Sequence, residues 1–226
     1  LAAMPNLAAD EGSFIELPPA AFSDSGFDNL PGGSREDFAA TVDWGDGTTE
    51  PVTDIALAEF PGFEGTATTG TIRARHAYGD NGLYTVKVKV TDDDGGTDTK
   101  IFAVRVNNVA PRVTAGPDQA TVEGTFISLA PATFTDPGFD NPAAGTFERF
   151  GATIDWGDGN TEPAVDIATT ATQGEEGRLT RGTAQAQHAY GDNGTYTIRT
   201  CVADDDGGQG CSELKVAVEN VSPTVD

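Results

Sequence analysis

Basic residues are scarce in this chain: 13 lysines and arginines stand against 36 aspartates and glutamates in 226 residues, a formal net charge of −23. A surface of that sign repels phosphate backbones and anionic lipid, which speaks against nucleic acid and favours cationic partners or bound metal ions. Long apolar runs are also missing. No window approaches the roughly 20 residues of a membrane span, and no charged, apolar, small-residue leader opens the sequence. The opening "LAAMPN" is therefore expected to be a cut inside a longer protein. Histidine occurs only at His76 and His188, without the further nitrogen or sulfur ligands that zinc demands. No Ser or Cys stands in a pattern with a histidine and an orienting acid, so enzyme activity is not expected.

What is present is turn and strand. With 28 Gly and 13 Pro between short alternating runs of Val, Thr, Ile, Phe and Tyr, the composition predicts an all-β protein. In "YTVKVKV", Tyr84, Val86, Val88 and Val90 share one face and Lys87 and Lys89 the other, the period of a strand with one wet side. The chain also repeats itself. "TVDWGDGTTEP" at Thr41 returns as "TIDWGDGNTEP" at Thr153, an offset of 153 − 41 = 112, and "HAYGDNG" and "FSDSGFDN" (returning as "FTDPGFDN") recur at the same offset. Two copies of one unit follow, residues 1–108 and 109–226, joined by "VNNVAPR". The closing "VSPTVD" matches "VAPRVT" in that register and is expected to begin a further repeat.

Each unit offers "GSFIEL", "FAATVDW", "TTEPVTDIAL", "TIRARHA", "GLYTVKVKV" and "TDTKIFAVRV" as candidate strands, the count of a two-sheet sandwich. "WGDGT" followed by H-x-Y-x-x-x-G-x-Y, at His76, Tyr78, Gly82 and Tyr84 and again at His188, Tyr190, Gly194 and Tyr196, resembles the polycystic-kidney-disease-like (PKD) domain. The resemblance covers nearly the whole chain. It implies two tandem immunoglobulin-like β-sandwich domains of the kind found in extracellular parts of surface proteins and beside secreted hydrolases. Trp44 and Trp156 are expected in the core, and Tyr84 as a tyrosine corner. Cys201 and Cys211, with "DDDGG" as the intervening loop, fall opposite one another across the last hairpin, which predicts a disulfide and an oxidising compartment.

The acids of "VTDDDGG" are the remaining feature. In a sandwich of this connectivity the last hairpin turn shares a pole with the loop after the second strand. Asp24 and Asp28 are then expected near Asp92 and Asp94, and Asp136 and Asp140 near Asp204 and Asp206, with Asn108 of the link close by. Crowded carboxylates repel unless a cation joins them, and Ca2+ suits oxygen ligands in flexible geometry; the resemblance implies calcium at such places in some relatives. Solvated acidic turns without an ion are the plain alternative.

The expected function is a non-catalytic extracellular spacer, a monomer stiffened by calcium. Its partners are neighbouring repeats of the same chain and extracellular polysaccharide or protein. The alternative is an accessory module that holds polysaccharide or fibrous protein for a secreted hydrolase. For that role Phe60 and Phe63, in a stretch unique to the first copy, form the candidate ligand patch. Adhesion between arrays through sheet edges is a third reading.

Overall fold

The computed structural model describes residues 5–57, 62–163, 166–169 and 173–225. It divides into two compact units, Leu1–Asn107 with Asn141–Thr146 and Asn108–Asp140 with Phe147–Asp226. The first unit holds β1 (Leu7–Asp10), β2 (Phe14–Glu16), β3 (Ala20–Asp24), β4 (Phe38–Asp43), β5 (Thr49–Pro51), β6 (Asp54–Leu57), β7 (Thr68–Arg73), β8 (Arg75–Ala77), β9 (Gly82–Asp92) and β10 (Thr97–Asn107). One sheet has the order β1-β10-β9-β4-β5, with β1 parallel to β10; the other has β3-β7-β6, extended by the ribbon β2-β8. This is an all-β sandwich, as the alternation predicts, and of the immunoglobulin-like type that the resemblance implies.

The second unit repeats the plan at the 112-residue offset and adds one strand. It runs β11 (Arg112–Thr114), β12 (Gln119–Val122), β13 (Phe126–Ser128), β14 (Ala132–Asp136), β15 (Phe150–Asp155), β16 (Thr161–Pro163), β17 (Asp166–Thr169), β18 (Thr180–Gln185), β19 (Gln187–Ala189), β20 (Gly194–Asp204) and β21 (Gln209–Glu219). Its sheets are β12-β21-β20-β15-β16, β11-β14-β18-β17 and β13-β19.

Ten strands replace the six runs read from the first copy. "TTEPVTDIAL" splits into β5 and β6 in different sheets, and "TIRARHA" into β7 and β8. The additional β1 and β3 are alanine-rich stretches of low strand propensity that become strands because a neighbour's edge is available.

The core of each unit centres on a ring ladder. Trp44 stacks on His76 at 4.9 Å, His76 meets Tyr78 edge-on at 4.8 Å, and Tyr78 stacks on Tyr84 at 4.2 Å. Trp156, His188, Tyr190 and Tyr196 repeat it. Both tryptophans and both histidines are buried. Each histidine Nε2 lies at hydrogen-bond distance from the aspartate of its WGDG turn, 2.8 Å for His76–Asp46 and 2.7 Å for His188–Asp158. Burial pushes the Asp46 carboxyl up, and hydrogen bonds from His76 and Thr48 outweigh it, leaving the group below its ordinary value. The turn itself needs glycine: Gly45 has φ +81°, and a Cβ there would sit 2.6 Å from the Thr85 carbonyl oxygen.

Tyr84 donates its hydroxyl to the Asp80 carbonyl at 2.8 Å, four residues back, which is the tyrosine corner; Tyr196 does the same to Asp192 at 3.0 Å. Tyr78 donates to the buried Trp44 carbonyl at 3.0 Å. Tyr78→Phe leaves that acceptor unpaired and is expected to cost roughly 1–3 kcal/mol, whereas Tyr84→Phe, at a half-buried site, costs about 1 kcal/mol; urea unfolding followed by tryptophan fluorescence measures both.

Cys201 and Cys211 are opposite residues of β20 and β21 and form a disulfide. Their counterparts Lys89 and Thr99 occupy the same cross-strand place in the first unit. Closing so short a loop stabilises by about 2–3 kcal/mol on the chain-entropy account. Reduction is therefore expected to lower the unfolding midpoint of the second unit and leave the first unchanged, as read by calorimetry with and without dithiothreitol.

Candidate metal centre

In the first unit, Asp24 ends β3, Asp92 ends β9, and Glu36 lies two residues before β4. These three bring carboxylate oxygens within 4.8 Å of one another. Antiparallel pairing places Asp92 opposite Phe38 on β4, so the hairpin turn and the segment leading into β4 share one pole. Asp24 Oδ1 accepts the Gly26 amide at 2.6 Å, and Asp92 Oδ1 accepts the Gly96 amide at 2.6 Å. Each of these two aspartates thus has its own turn amide. A Cβ on Gly26 would strike the Glu36 carboxylate, and one on Gly96 would strike Asp92.

Glu36 registers the crowding. Partial burial first, then the charges of Asp93, Asp24, Asp92 and Asp94, hold its carboxyl above the ordinary value. Asp28 turns to its own backbone and accepts the Glu36 amide at 2.9 Å. Asp93 accepts the Asp37 amide at 3.3 Å, and Asp94 is exposed. Of the acids singled out in the sequence for this unit, the structure brings Asp24 and Asp92 together and not Asp28 or Asp94.

The second unit builds the same pole more deeply. Asp136 is 1 % exposed; its Oδ1 accepts the Gly138 amide at 2.7 Å, and its Oδ2 is buried with no hydrogen-bond partner. Asp204 is also buried; both of its oxygens accept from the Asn108 side chain at 3.1 Å, and Oδ1 accepts the Asp206 and Gly208 amides as well. Asn108 commits its NH2 group to Asp204 and keeps a buried, unpartnered Oδ1. Glu148, the counterpart of Glu36, lies beside Gly138 as Asp136 does. Asp140 accepts the Glu148 amide at 2.9 Å, as Asp28 does for Glu36, and the exposed Asp206 brings a carboxylate oxygen within 4.8 Å of one of Glu148. Among the described residues, no lysine or arginine pairs with Asp24, Asp92, Asp136 or Asp204.

Burial, and then the charges of Asp204, Asp205 and Asp206, push the Asp136 carboxyl up to about 6 despite the Gly138 amide. What is left over is oxygen: an unpaired carboxylate oxygen on Asp136, whose carboxyl feels the charge of Asp204, and an unpaired amide oxygen on Asn108, whose NH2 group holds Asp204. That donor set suits Ca2+, which accepts carboxylate and amide oxygens together; zinc wants nitrogen or sulfur, and magnesium keeps its waters.

Glu36 and Glu148 escape the sequence reading, although a signal exists. The loops "LPGGSRED" and "PAAGTFER" differ at most positions, yet glutamate stands at the same place in both, two residues before a phenylalanine that opens the next strand. On the ligand patch, Phe63 is 61 % exposed on a tight turn closed by its bonds with Thr66. Phe60 lies outside the described residues.

No protein-family model matches the chain, and no curated protein matches it. Solved structures do. A PKD domain of an M14-like peptidase from Thermoplasmatales archaeon SCGC AB-540-F20 is 26% identical over 48% of this chain and 92% of its own, with a TM-score of 0.31. The fibronectin(III)-like modules of Clostridium thermocellum CbhA are 14% identical over 99% of this chain and 95% of theirs, with a TM-score of 0.31. The pair of immunoglobulin domains IG1+IG2 of DIP-gamma is 12% identical over 97% and 96%, with a TM-score of 0.35. At these scores the functional reading rests on the residues of this chain.

The raised Asp136 carboxyl fixes a pH dependence. In chelator the folded state holds a proton that the unfolded chain releases near 3.8, so this contribution is fully present below that pH and is lost as pH rises through about 6. The loss amounts to roughly 3 kcal/mol for a carboxyl moved from 3.8 to about 6. Melts in chelator at pH 5 and pH 7 are expected to show the second unit less stable at pH 7, and Asp136→Asn is expected to remove the difference.

Proposed function

We propose that this chain is a non-catalytic spacer of an extracellular protein, two sandwiches in tandem that are stiffened by calcium at the acidic pole of each unit. The observation that carries the reading is Asp136: a carboxylate buried with an unpaired oxygen, within the electrostatic reach of Asp204, with no cationic side chain among the described residues to answer it. A buried charge without a partner is costly unless it is neutralised or coordinated. In the second unit Asp136, Asp204, Asn108 and Glu148 are the proposed ligands; in the first, Asp24, Glu36 and Asp92.

A repeat of two sandwiches supports a structural role, since each unit carries its own core. The disulfide supports an oxidising compartment outside the cytosol. No helix of the described structure is long and apolar enough to cross a membrane. The exposed Phe63 favours a second reading, in which the first unit holds polysaccharide or fibrous protein. Retention of the wild type but not of Phe63→Ala on insoluble chitin, cellulose or collagen would support it.

Calcium at a hundred times its dissociation constant stabilises a single site by about 2.7 kcal/mol. Millimolar CaCl2 is thus expected to raise the melting temperature over that in chelator, with MgCl2 giving less. Asp136→Asn combined with Asp204→Asn removes the increment from the second unit only. Identical melts in calcium and chelator overturn the reading.

A further inference from the structure

The second unit carries a sequence pattern that the first lacks. Its YGDNG turn runs on as Asn193-Gly194-Thr195, whereas the first unit has Asn81-Gly82-Leu83 at the same register. The shared Asn-Gly belongs to the turn before β9 and β20. The threonine is not required by that turn, since Leu83 stands there in the first copy. Asn193 lies between β19 and β20 and is exposed. Its backbone amide donates to Asp192 Oδ1 at 2.9 Å, and its side-chain amide makes no hydrogen bond among the described residues. Thr195 is exposed as well, on the opposite side of β20 from the buried Ile198, and its hydroxyl is likewise without a partner among the described residues.

The sheet beside this turn is low. Register sets Thr195 opposite Ala217, and Ala217 opposite Ala120 on the edge strand β12. All three are exposed. Val122, opposite Glu219 and level with Asn193, continues the surface and is 38 % exposed. In the first unit the corresponding row is Leu83, Arg105 and Ala8, with Leu83 75 % exposed. Two bulky side chains thus stand in one copy where the other presents a flat shelf next to an unengaged carboxamide.

We propose that Asn193 is an acceptor site for N-linked glycosylation, with the oligosaccharide lying over the shelf of Thr195, Ala217 and Ala120. Asparagine followed two residues on by threonine, with no proline between, is the acceptor pattern on surface turns of secreted chains. The group transferred is an oligosaccharide carried on a lipid diphosphate. A bond forms between Asn193 Nδ2 and the anomeric carbon of the first sugar, and the bond from that carbon to the diphosphate oxygen breaks. The lipid diphosphate leaves with the electron pair, and the proton lost from Nδ2 passes to a base of the transferase. The site rests on the extracellular reading, because such a donor is met on the way out of the cell. A second match, Asn220-Val221-Ser222, is set apart: Pro223 follows directly and restricts the backbone of Ser222. Its counterpart in the first copy, Asn108, spends its side chain on Asp204.

Peptide mapping by mass spectrometry tests the assignment on the protein from its own source, and on wild type, Asn193→Gln, Thr195→Leu and Asn220→Gln secreted from cultured cells that perform N-glycosylation. Wild type is expected to gain the mass of one glycan, which peptide-N-glycosidase removes, leaving an aspartate at the attachment point. Asn193→Gln and Thr195→Leu are expected to lose the whole increment, and Asn220→Gln to keep it. Thr195→Leu installs the residue that the first unit already carries on the same strand, so it is expected to be secreted and to melt as deglycosylated wild type does. An unmodified Asn193 in the protein from its source overturns the proposal, as does an increment that survives Asn193→Gln. The state of Cys201 and Cys211 in the same sample keeps the two readings apart. A bare Asn193 beside an intact bridge removes the glycan alone, and a bare Asn193 beside free thiols removes the extracellular reading with it.

Discussion

The antiparallel register of β9 with β10, and of β20 with β21, is the constraint on which the rest of each unit depends. Ten consecutive pairs, from Val106 opposite Gly82 to Thr97 opposite Thr91, fix both ends of the hairpin at once. At one end Tyr84 folds its hydroxyl back on Asp80; at the other, Asp92 arrives in a turn whose amides it must satisfy. A slip of one residue would turn Val86, Val88 and Val90 to solvent and send Lys87 and Lys89 into the core, so the buried face enforces the pairing.

Given that register, the acidic pole follows from topology rather than from attraction. The carboxylates are delivered by strands whose positions the core has set, and local amides from Gly26, Gly96, Gly138 and Gly208 hold each in place. Those amides offset part of the cost of crowding, as they do in many exposed aspartate turns. They do not suffice at Asp136, where burial removes water without supplying a second donor. The two units therefore stand at different points on one scale, the first partly solvated and the second closed.

The sandwich class, the 112-residue repeat, the buried tryptophans, the tyrosine corner and the cysteine pair are legible in the sequence because each rests on period, spacing or turn chemistry. The split of single runs into strands of different sheets is not, since nothing local tells Thr49–Pro51 from Asp54–Leu57 as members of separate layers. At the pole, Asp24 and Asp92 are legible as neighbours from hairpin geometry. Asp28 and Asp140 belong to the same loops by sequence but cap the Glu36 and Glu148 amides instead of facing the cluster, a choice made by loop conformation that the sequence does not encode locally. Glu36 and Glu148 stay hidden because a lone glutamate in a divergent loop resembles solvated surface until the strand pairing brings it across.

The cysteine bridge has a mechanical side. It ties β20 to β21 in the part of the hairpin next to the acidic turn, and β21 is the strand through which a pull on the following chain enters the second unit. If force strips that unit open, the ten-residue span between Cys201 and Cys211 cannot extend, which withholds about 35 Å of contour at roughly 3.5 Å per residue. The first unit, with Lys89 and Thr99 at the same place, has no such stop and releases its hairpin in full. Under equal tension the two halves of the tandem thus lengthen by different amounts, and the bonded half gives the shorter step.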